Sequence, residues 1–464
     1  MVALILKSIR VPKIGTPHMA SSDIHKAPKG TRDFYPPRMA VRRHIEGAWR
    51  SAGIDSGFDE IEGPMFEHLD LYTVKSGDEI ISQLFSFKRE GGDDLYALRP
   101  EFTPTLARMA VARGKSLPTP TKWFAIPSHF RAERPQRGRL REHVQWNVDV
   151  LGLSDVSADV EVISTALLAL ERLGLGPEDV KVRLSHRGSI AKVLVALGVS
   201  EESLQSALML LDRRDKMSEE EFRTSASGLG MDEDSVGRFD QAARATLPLS
   251  GSLAELSRTL GVSGESLEEL DGIRSGLLEA GLADWCVLDT GIVRGLAYYT
   301  GTVFEIFDVK GAERAIAGGG RYDKLVELFG GQPTPACGFG MGDVVLSLVL
   351  QEHGLLGGGE GEDLLPRPEV FLVSTTEEGD RRMSPLLIAL RRAGIHARRS
   401  HKSTRNPGKL LAEAGKLGAR HAVILGDELS EDMVILKDLE AGTQSPVELK
   451  DLVDIIDGDE DGAS

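Results

Sequence analysis

A chain of 464 residues is long enough for two or three domains with their own cores, and 41% hydrophobic with 27% charged residues describes an ordinary globular protein. No apolar run approaches the roughly 20 residues that a membrane span needs, so no membrane partner is expected. The formal net charge of −16 excludes nonspecific coating of nucleic acid, and a specific RNA would have to be met by local basic patches on an acidic body.

Residues 1–25 are mildly basic, with an apolar patch from Val2 to Ile5 too short for a signal-peptide core, and read as a flexible extension. Val41, Ile45 and Trp49 at spacing i, i+4, i+8 predict a helix stopped by Gly53. Phe58 to Met65 reads as a strand ending at Gly63-Pro64. Leu84–Lys88 and Leu95–Arg99 read as a hairpin around Gly91-Gly92-Asp93-Asp94, running into Arg99-Pro100-Glu101-Phe102-Thr103.

Phe130-Arg131-Ala132-Glu133-Arg134-Pro135-Gln136-Arg137-Gly138-Arg139-Leu140-Arg141 places five arginines within eleven residues. Gln145 to Val150 then alternates polar and apolar, as a half-buried strand does. A strand, an arginine-rich loop and a returning strand can hold several guanidinium forks around one polyanion. The plain alternative is a solvated basic turn.

Residues 157–174 read as a helix before the break Gly174-Leu175-Gly176-Pro177, and Val180–Leu184 as a strand. From 190 to 275 the texture is helical and rich in Leu, Ser and Glu. Val293-Arg294-Gly295-Leu296-Ala297-Tyr298-Tyr299-Thr300-Gly301-Thr302-Val303-Phe304-Glu305 follows. Ala315 to Asp323, with Gly318-Gly319-Gly320-Arg321-Tyr322-Asp323, reads as a strand ending in a glycine-rich turn. Cys286 and Cys337 form no CxxC or Cys/His cluster, so no metal site or disulfide is indicated and a cytoplasmic location is expected.

Gly354–Glu362 is a glycine-rich acidic linker. Val370–Ser374 and Ala422–Leu425 read as strands, and Arg381–Ala393 and Gly408–Leu417 as helices, which together predict a small α/β domain with a largely parallel sheet. Residues 391–409 hold seven Lys or Arg and no acid. That segregation favours an RNA face at Arg398, Arg399 and Lys402 over a merely solvated loop. The expected organisation is an extension 1–25, a core 26–189, a helical insertion 190–275, a second core segment 276–352, a linker 353–365, a domain 366–455 and an acidic tail 456–464.

The arginine-rich stretch resembles motif 2 of the class II aminoacyl-tRNA synthetases, in the form found in histidyl-tRNA synthetases. The helix and strand before Pro64 resemble motif 1, Arg99–Thr103 the amino-acid-binding loop, Val293–Glu305 the histidine signature, and Thr334–Leu346 motif 3. This resemblance implies an α+β fold: an antiparallel sheet flanked by helices, a helical insertion, and a C-terminal α/β anticodon-binding-like domain.

The resemblance further implies activation of histidine by ATP as substrate, with Mg2+, and transfer to tRNA(His) by a homodimer. Arg131 and Arg294 would be the catalytic cations at the α-phosphate. Glu133, Arg139 and His143 would join Arg131 at ATP. Glu101, Phe102, Thr103, Arg131, Gln145, Asp149, Arg294, Tyr298, Tyr299 and Tyr322 would bind histidine. Four positions depart from the family pattern: His143 for a phenylalanine, Ala297 for an aspartate, and Val344-Val345 for Glu-Arg. The last departure suits an alternative, a non-catalytic histidine-binding paralogue resembling the regulatory subunit of ATP phosphoribosyltransferase.

Overall fold

The computed structural model describes residues 25–73, 83–214, 217–293, 299–311, 313–357 and 361–458. Arg294, Ala297 and Tyr298 lie outside the described residues, as do nearly all of the N-terminal extension and the last six residues of the acidic tail. The chain divides into two compact units between Leu364 and Leu365.

The first unit is an α+β arrangement around a ten-stranded sheet. Its strands, with those of a smaller sheet, are β1 Asp59–Glu60, β2 Phe66–His68, β3 Ser86–Lys88, β4 Leu95–Leu98, β5 Thr121–Ala125, β6 Ser128–Phe130, β7 Glu142–Leu151, β8 Val180–His186, β9 Thr246–Pro248, β10 Cys286–Asp289, β11 Thr302–Asp308, β12 Ala317–Arg321 and β13 Ala336–Gly342. The main order is β1-β5-β7-β13-β12-β11-β8-β10-β9, with β6 laid against the start of β7. Pairing is antiparallel through the centre and parallel only at β1/β5 and β10/β8. β2, β4 and β3 form a separate three-stranded sheet.

The alternation read in β7 sets the two faces of the main sheet. Trp146, Val148 and Val150 are fully buried under the helices Pro36–Asp55 and Ser157–Arg172. There the rings of Trp49 and Trp146 stack with centroids 6.1 Å apart. Each aliphatic side chain sunk into this layer contributes roughly 1.5–3 kcal/mol. Gln145, Asn147 and Asp149 point to the other face.

Three local readings are corrected. The first helix runs past Gly53 to Asp55. The strand expected over Phe58–Met65 shortens to Asp59–Glu60, because after Gly63-Pro64 the chain leaves the main sheet and pairs Phe66 with Leu98 instead. Gly318–Gly320 lie inside strand β12, not in a turn. The insertion is helical apart from β9, which pairs antiparallel with β10 at the sheet edge.

In the second unit, β14 Val370–Ser374, β15 Ala397–Arg399, β16 His421–Leu425, β17 Met433–Asp438 and β18 Gln444–Glu448 form a sheet in the order β15-β14-β16-β17-β18. Only the first three strands run parallel, connected through the helices Glu377–Arg392 and Pro407–Lys416. β17 and β18 are antiparallel, which corrects the largely parallel expectation. The connection between Leu425 and Met433 is too short for a parallel crossover, which takes about a dozen residues.

Candidate active site

A cavity of about 460 Å3 opens on the face of the main sheet to which Gln145, Asn147 and Asp149 point. Its floor is built from β7, β12 and β13. In register, Gly338 lies opposite Asp149, Gly340 opposite Asn147 and Gly342 opposite Gln145. A Cβ on Gly338 would stand 2.4 Å from Asp149 Oδ1 and 2.6 Å from the Tyr322 hydroxyl. One on Gly340 would stand 2.6 Å from Gln145 Nε2. The glycines therefore keep open the space that the polar side chains of β7 occupy.

The walls come from distant stretches. Glu101 precedes the helix Thr103–Arg113, so its carboxylate and the Thr103 hydroxyl reach the cavity together. Arg99 fixes this loop from behind: it is buried, and its guanidinium donates to the Ser128 and Gly63 carbonyls and to Glu62. Arg131 Nε donates to the Pro100 carbonyl at 3.0 Å, which ties the arginine-rich hairpin to the same loop. Tyr299 and Tyr322 close the far side with ring centroids 6.5 Å apart, and the Tyr322 hydroxyl donates to Asp149 Oδ1. On either side of Tyr322, Arg321 is buried against Asp159 and Asp323 accepts from Thr300.

Of the five clustered arginines, Arg131 and Arg139 line the cavity. Arg137 pairs with Glu313 and Glu352, Arg141 donates to the Glu133 carbonyl, and Arg134 is exposed. The hairpin thus aims two guanidinium groups at one site, fewer than its composition suggests. Arg139 is ion-paired with Glu133.

Burial, with Arg131, Arg32 and Arg139 nearby, lowers His143 to about 3, so its flat ring is uncharged at neutral pH. Burial pushes the Asp149 carboxyl up to about 7 against the opposing pull of the Tyr322 hydrogen bond. Asp149 thus changes charge near neutral pH.

Glu101, Thr103, Arg131, Arg139, His143, Gln145, Asp149, Tyr299 and Tyr322, all singled out from sequence, stand around this one cavity. Phe102 does not: it is 1% exposed and belongs to the buried cluster that includes Leu106, Tyr299 and Tyr322, so it backs the wall. Glu133 sits off the lining, held by Arg139. The sequence reading missed Asn147, although it shares a strand face with Gln145 and Asp149, and Arg314, which no motif marked. Val344 and Val345 line the same end of the cavity as Gly138.

In the second unit, Arg399 and Lys402 line a depression of about 560 Å3 with His401 and Arg405, whereas Arg398 is not on it. Acids from neighbouring helices answer this basic stretch: Arg405 pairs with Asp380 at 3.2 Å and Lys402 with Glu413 at 3.4 Å.

A family model described as Histidyl-tRNA synthetase matches residues 30–343. The chain belongs to the histidyl-tRNA synthetase family. A second model, described as Anticodon binding domain, matches residues 369–458. The chain is 36% identical over 450 residues to the chloroplastic/mitochondrial histidine–tRNA ligase of Arabidopsis thaliana, covering 96% of this chain and 90% of that protein. It is 38% identical over 425 residues to the histidine–tRNA ligase of Natronomonas pharaonis, covering 91% and 95%. The crystal structure of histidyl-tRNA synthetase from Nostoc sp. PCC 7120 superposes with a TM-score of 0.77 at 25% identity, covering 93% of this chain and 99% of that one. The histidyl-tRNA synthetase match ends at Asp343, immediately before Val344 and Val345.

Proposed function

We propose that the chain is a histidine–tRNA ligase that activates histidine with ATP and transfers it to tRNA(His). The observation that carries this reading is the convergence of Glu101, Thr103, Arg131, Gln145, Asp149 and Tyr322 on one cavity. Glu101, Thr103, Gln145 and Asp149 supply the acceptors an ammonium group needs, and Tyr299 and Tyr322 a flat wall for an imidazole. Arg131, fixed through Pro100 beside Glu101, would meet both the histidine carboxylate and the α-phosphate.

In the first step a histidine carboxylate oxygen bonds to the α-phosphorus while the bond to the α–β bridging oxygen breaks. Pyrophosphate leaves with the electron pair. Two anions must meet, so the protein's contribution is positioning and fixed positive charge. Arg131 supplies that charge, and Arg294, by its place in the histidine signature, would supply a second cation. The uncharged His143 ring offers a face to adenine. Glu133 would accept from the adenine amino group only after releasing Arg139, which would then be free for the outer phosphates.

Among the described residues no three His, Cys, Asp or Glu side chains form a metal cluster. A magnesium ion would come with the nucleotide's phosphates, whose oxygens are its preferred ligands. A cytoplasmic location and a homodimer belong to the same reading, the latter from the motif 1 resemblance of residues around Pro36–Asp55. For tRNA, Arg399 and Lys402 are the candidate phosphate contacts in the second unit, with Arg398 on the opposite face of its strand.

The runner-up, a histidine-binding paralogue without ligase activity, has no better support in the comparisons, since the similarity to histidine–tRNA ligases runs through the second unit as well. Histidine-dependent ATP–pyrophosphate exchange separates the two: the ligase exchanges, the paralogue binds histidine and does not.

A further inference from the structure

We propose that Arg314 binds the outer phosphates of the nucleotide and serves at the end of the cavity where Val345 brings no charge. This rests on the ATP-dependent reading above and adds a residue that no motif marked.

The cavity has two ends. Along β13, Gly338 faces Asp149 and the Tyr322 hydroxyl, Gly340 faces the Gln145 side chain, and Gly342 beyond them leads directly into Val344 and Val345. Four residues of strand separate the two ends by roughly 13 Å, about the reach of an amino acid followed by a phosphate chain. With the histidine acceptors at the first end, the leaving pyrophosphate belongs at the second.

At that second end a Cβ on Gly138 would lie 3.4 Å from Val345 Cγ2, 3.7 Å from Glu313 Oε2 and 3.8 Å from Arg314 Cδ. The stem of Arg314 and the side chain of Val345 therefore share one small region. Arg314 lines the cavity with Arg139, is exposed, and has no hydrogen-bond or ion-pair partner among the described residues. Its neighbour Glu313, with a side chain 3% exposed, is instead taken by Arg137, which also holds Glu352. Of the arginines at this end, Arg137 and Arg139 are paired with carboxylates, and Arg314 is the one without such a partner among the described residues. An exposed guanidinium with a free fork is suited to paired phosphate oxygens.

The test compares wild type, Arg314→Ala, Arg314→Lys and Arg314→Ala with Val345→Arg. Two readouts are used: steady-state ATP–pyrophosphate exchange, and calorimetric binding of pyrophosphate, which needs no turnover. Arg314→Ala is expected to lower kcat/KM for ATP and affinity for pyrophosphate by about tenfold to a hundredfold while KM for histidine stays within about twofold. Lysine recovers part of the loss. The added arginine at 345 recovers more, because its charge enters the same region from the other wall. An unchanged melting temperature for Arg314→Ala excludes misfolding. Values for Arg314→Ala within twofold of wild type in both readouts overturn the proposal. If wild type shows no exchange but binds pyrophosphate through Arg314, the ligase reading fails and this one stands.

Discussion

Tyr322 donates its hydroxyl hydrogen to Oδ1 of Asp149, joining residues 173 positions apart on the floor of the cavity. Beneath them Gly338 leaves no room for any side chain. The three residues form a unit in which each constrains the others, and its charge state depends on pH.

Burial raises the Asp149 carboxyl to about 7, well above the ordinary value near 4. Between those values the folded protein keeps a proton that the unfolded chain releases. This group's contribution to stability is therefore full below about pH 4, declines as pH rises to about 7, and is flat beyond. Asp149→Asn removes the decline, so chemical denaturation should find the variant gaining on wild type between pH 4 and 7. Its histidine affinity should be about tenfold or more weaker at pH 8, because the charged acceptor is lost. Parallel stability curves for the two proteins would contradict the assignment.

Gly338→Ala places a methyl group 2.4 Å from Asp149 Oδ1 and 2.5 Å from the Val148 carbonyl. The Val148 carbonyl cannot yield without moving β7, and the Asp149 carboxylate can yield only by leaving its place beside Tyr322. The variant should lose about 1–3 kcal/mol of stability by urea denaturation and raise KM for histidine more than KM for ATP. Equal effects on both substrates would mean that the glycine serves the sheet and not the histidine end.

Arg321 and Asp159 form an ion pair with side chains 8% and 3% exposed, and Arg321 also donates to the Leu153 and Asp155 carbonyls. Removing one partner leaves the other charge buried. Asp159→Ala should therefore cost about 3–5 kcal/mol in denaturant unfolding, the largest stability loss among these variants. A loss below 1 kcal/mol would show that water reaches the guanidinium.

Arg398 and Arg399 are adjacent on β15 and point to opposite faces, and only Arg399 shares the depression with Lys402. Reversing charge at Arg399 and Lys402 should weaken tRNA binding and flatten its salt dependence, while reversal at Arg398 alone should do less. Pyrophosphate exchange, which needs no tRNA, should be unchanged in both. Equal losses at the two sites would point to a diffuse electrostatic surface.

How much of this was legible in the sequence depended on whether the signal was local. The alternation from Gln145 to Val150 named both faces of β7, and the sets around Glu101, Arg131 and Tyr322 named most of the cavity wall. The glycines of β12 misled because glycine is common in turns, and its second use, making room for a neighbouring strand's side chain, shows only in register. Arg314 left no trace because its relation to Val345 crosses two unconnected segments. Arg137 and Arg139 looked like free cations since their carboxylates, Glu313, Glu352 and Glu133, could not be assigned to them by spacing.

The central claim is that this cavity joins histidine to ATP even though residue 345 carries no charge. Isotopic ATP–pyrophosphate exchange by the purified full chain, with and without histidine and beside Arg131→Ala, tests it most directly. The account predicts exchange that requires histidine and falls by about a hundredfold or more in the variant. Histidine binding with exchange no faster than Arg131→Ala would contradict it.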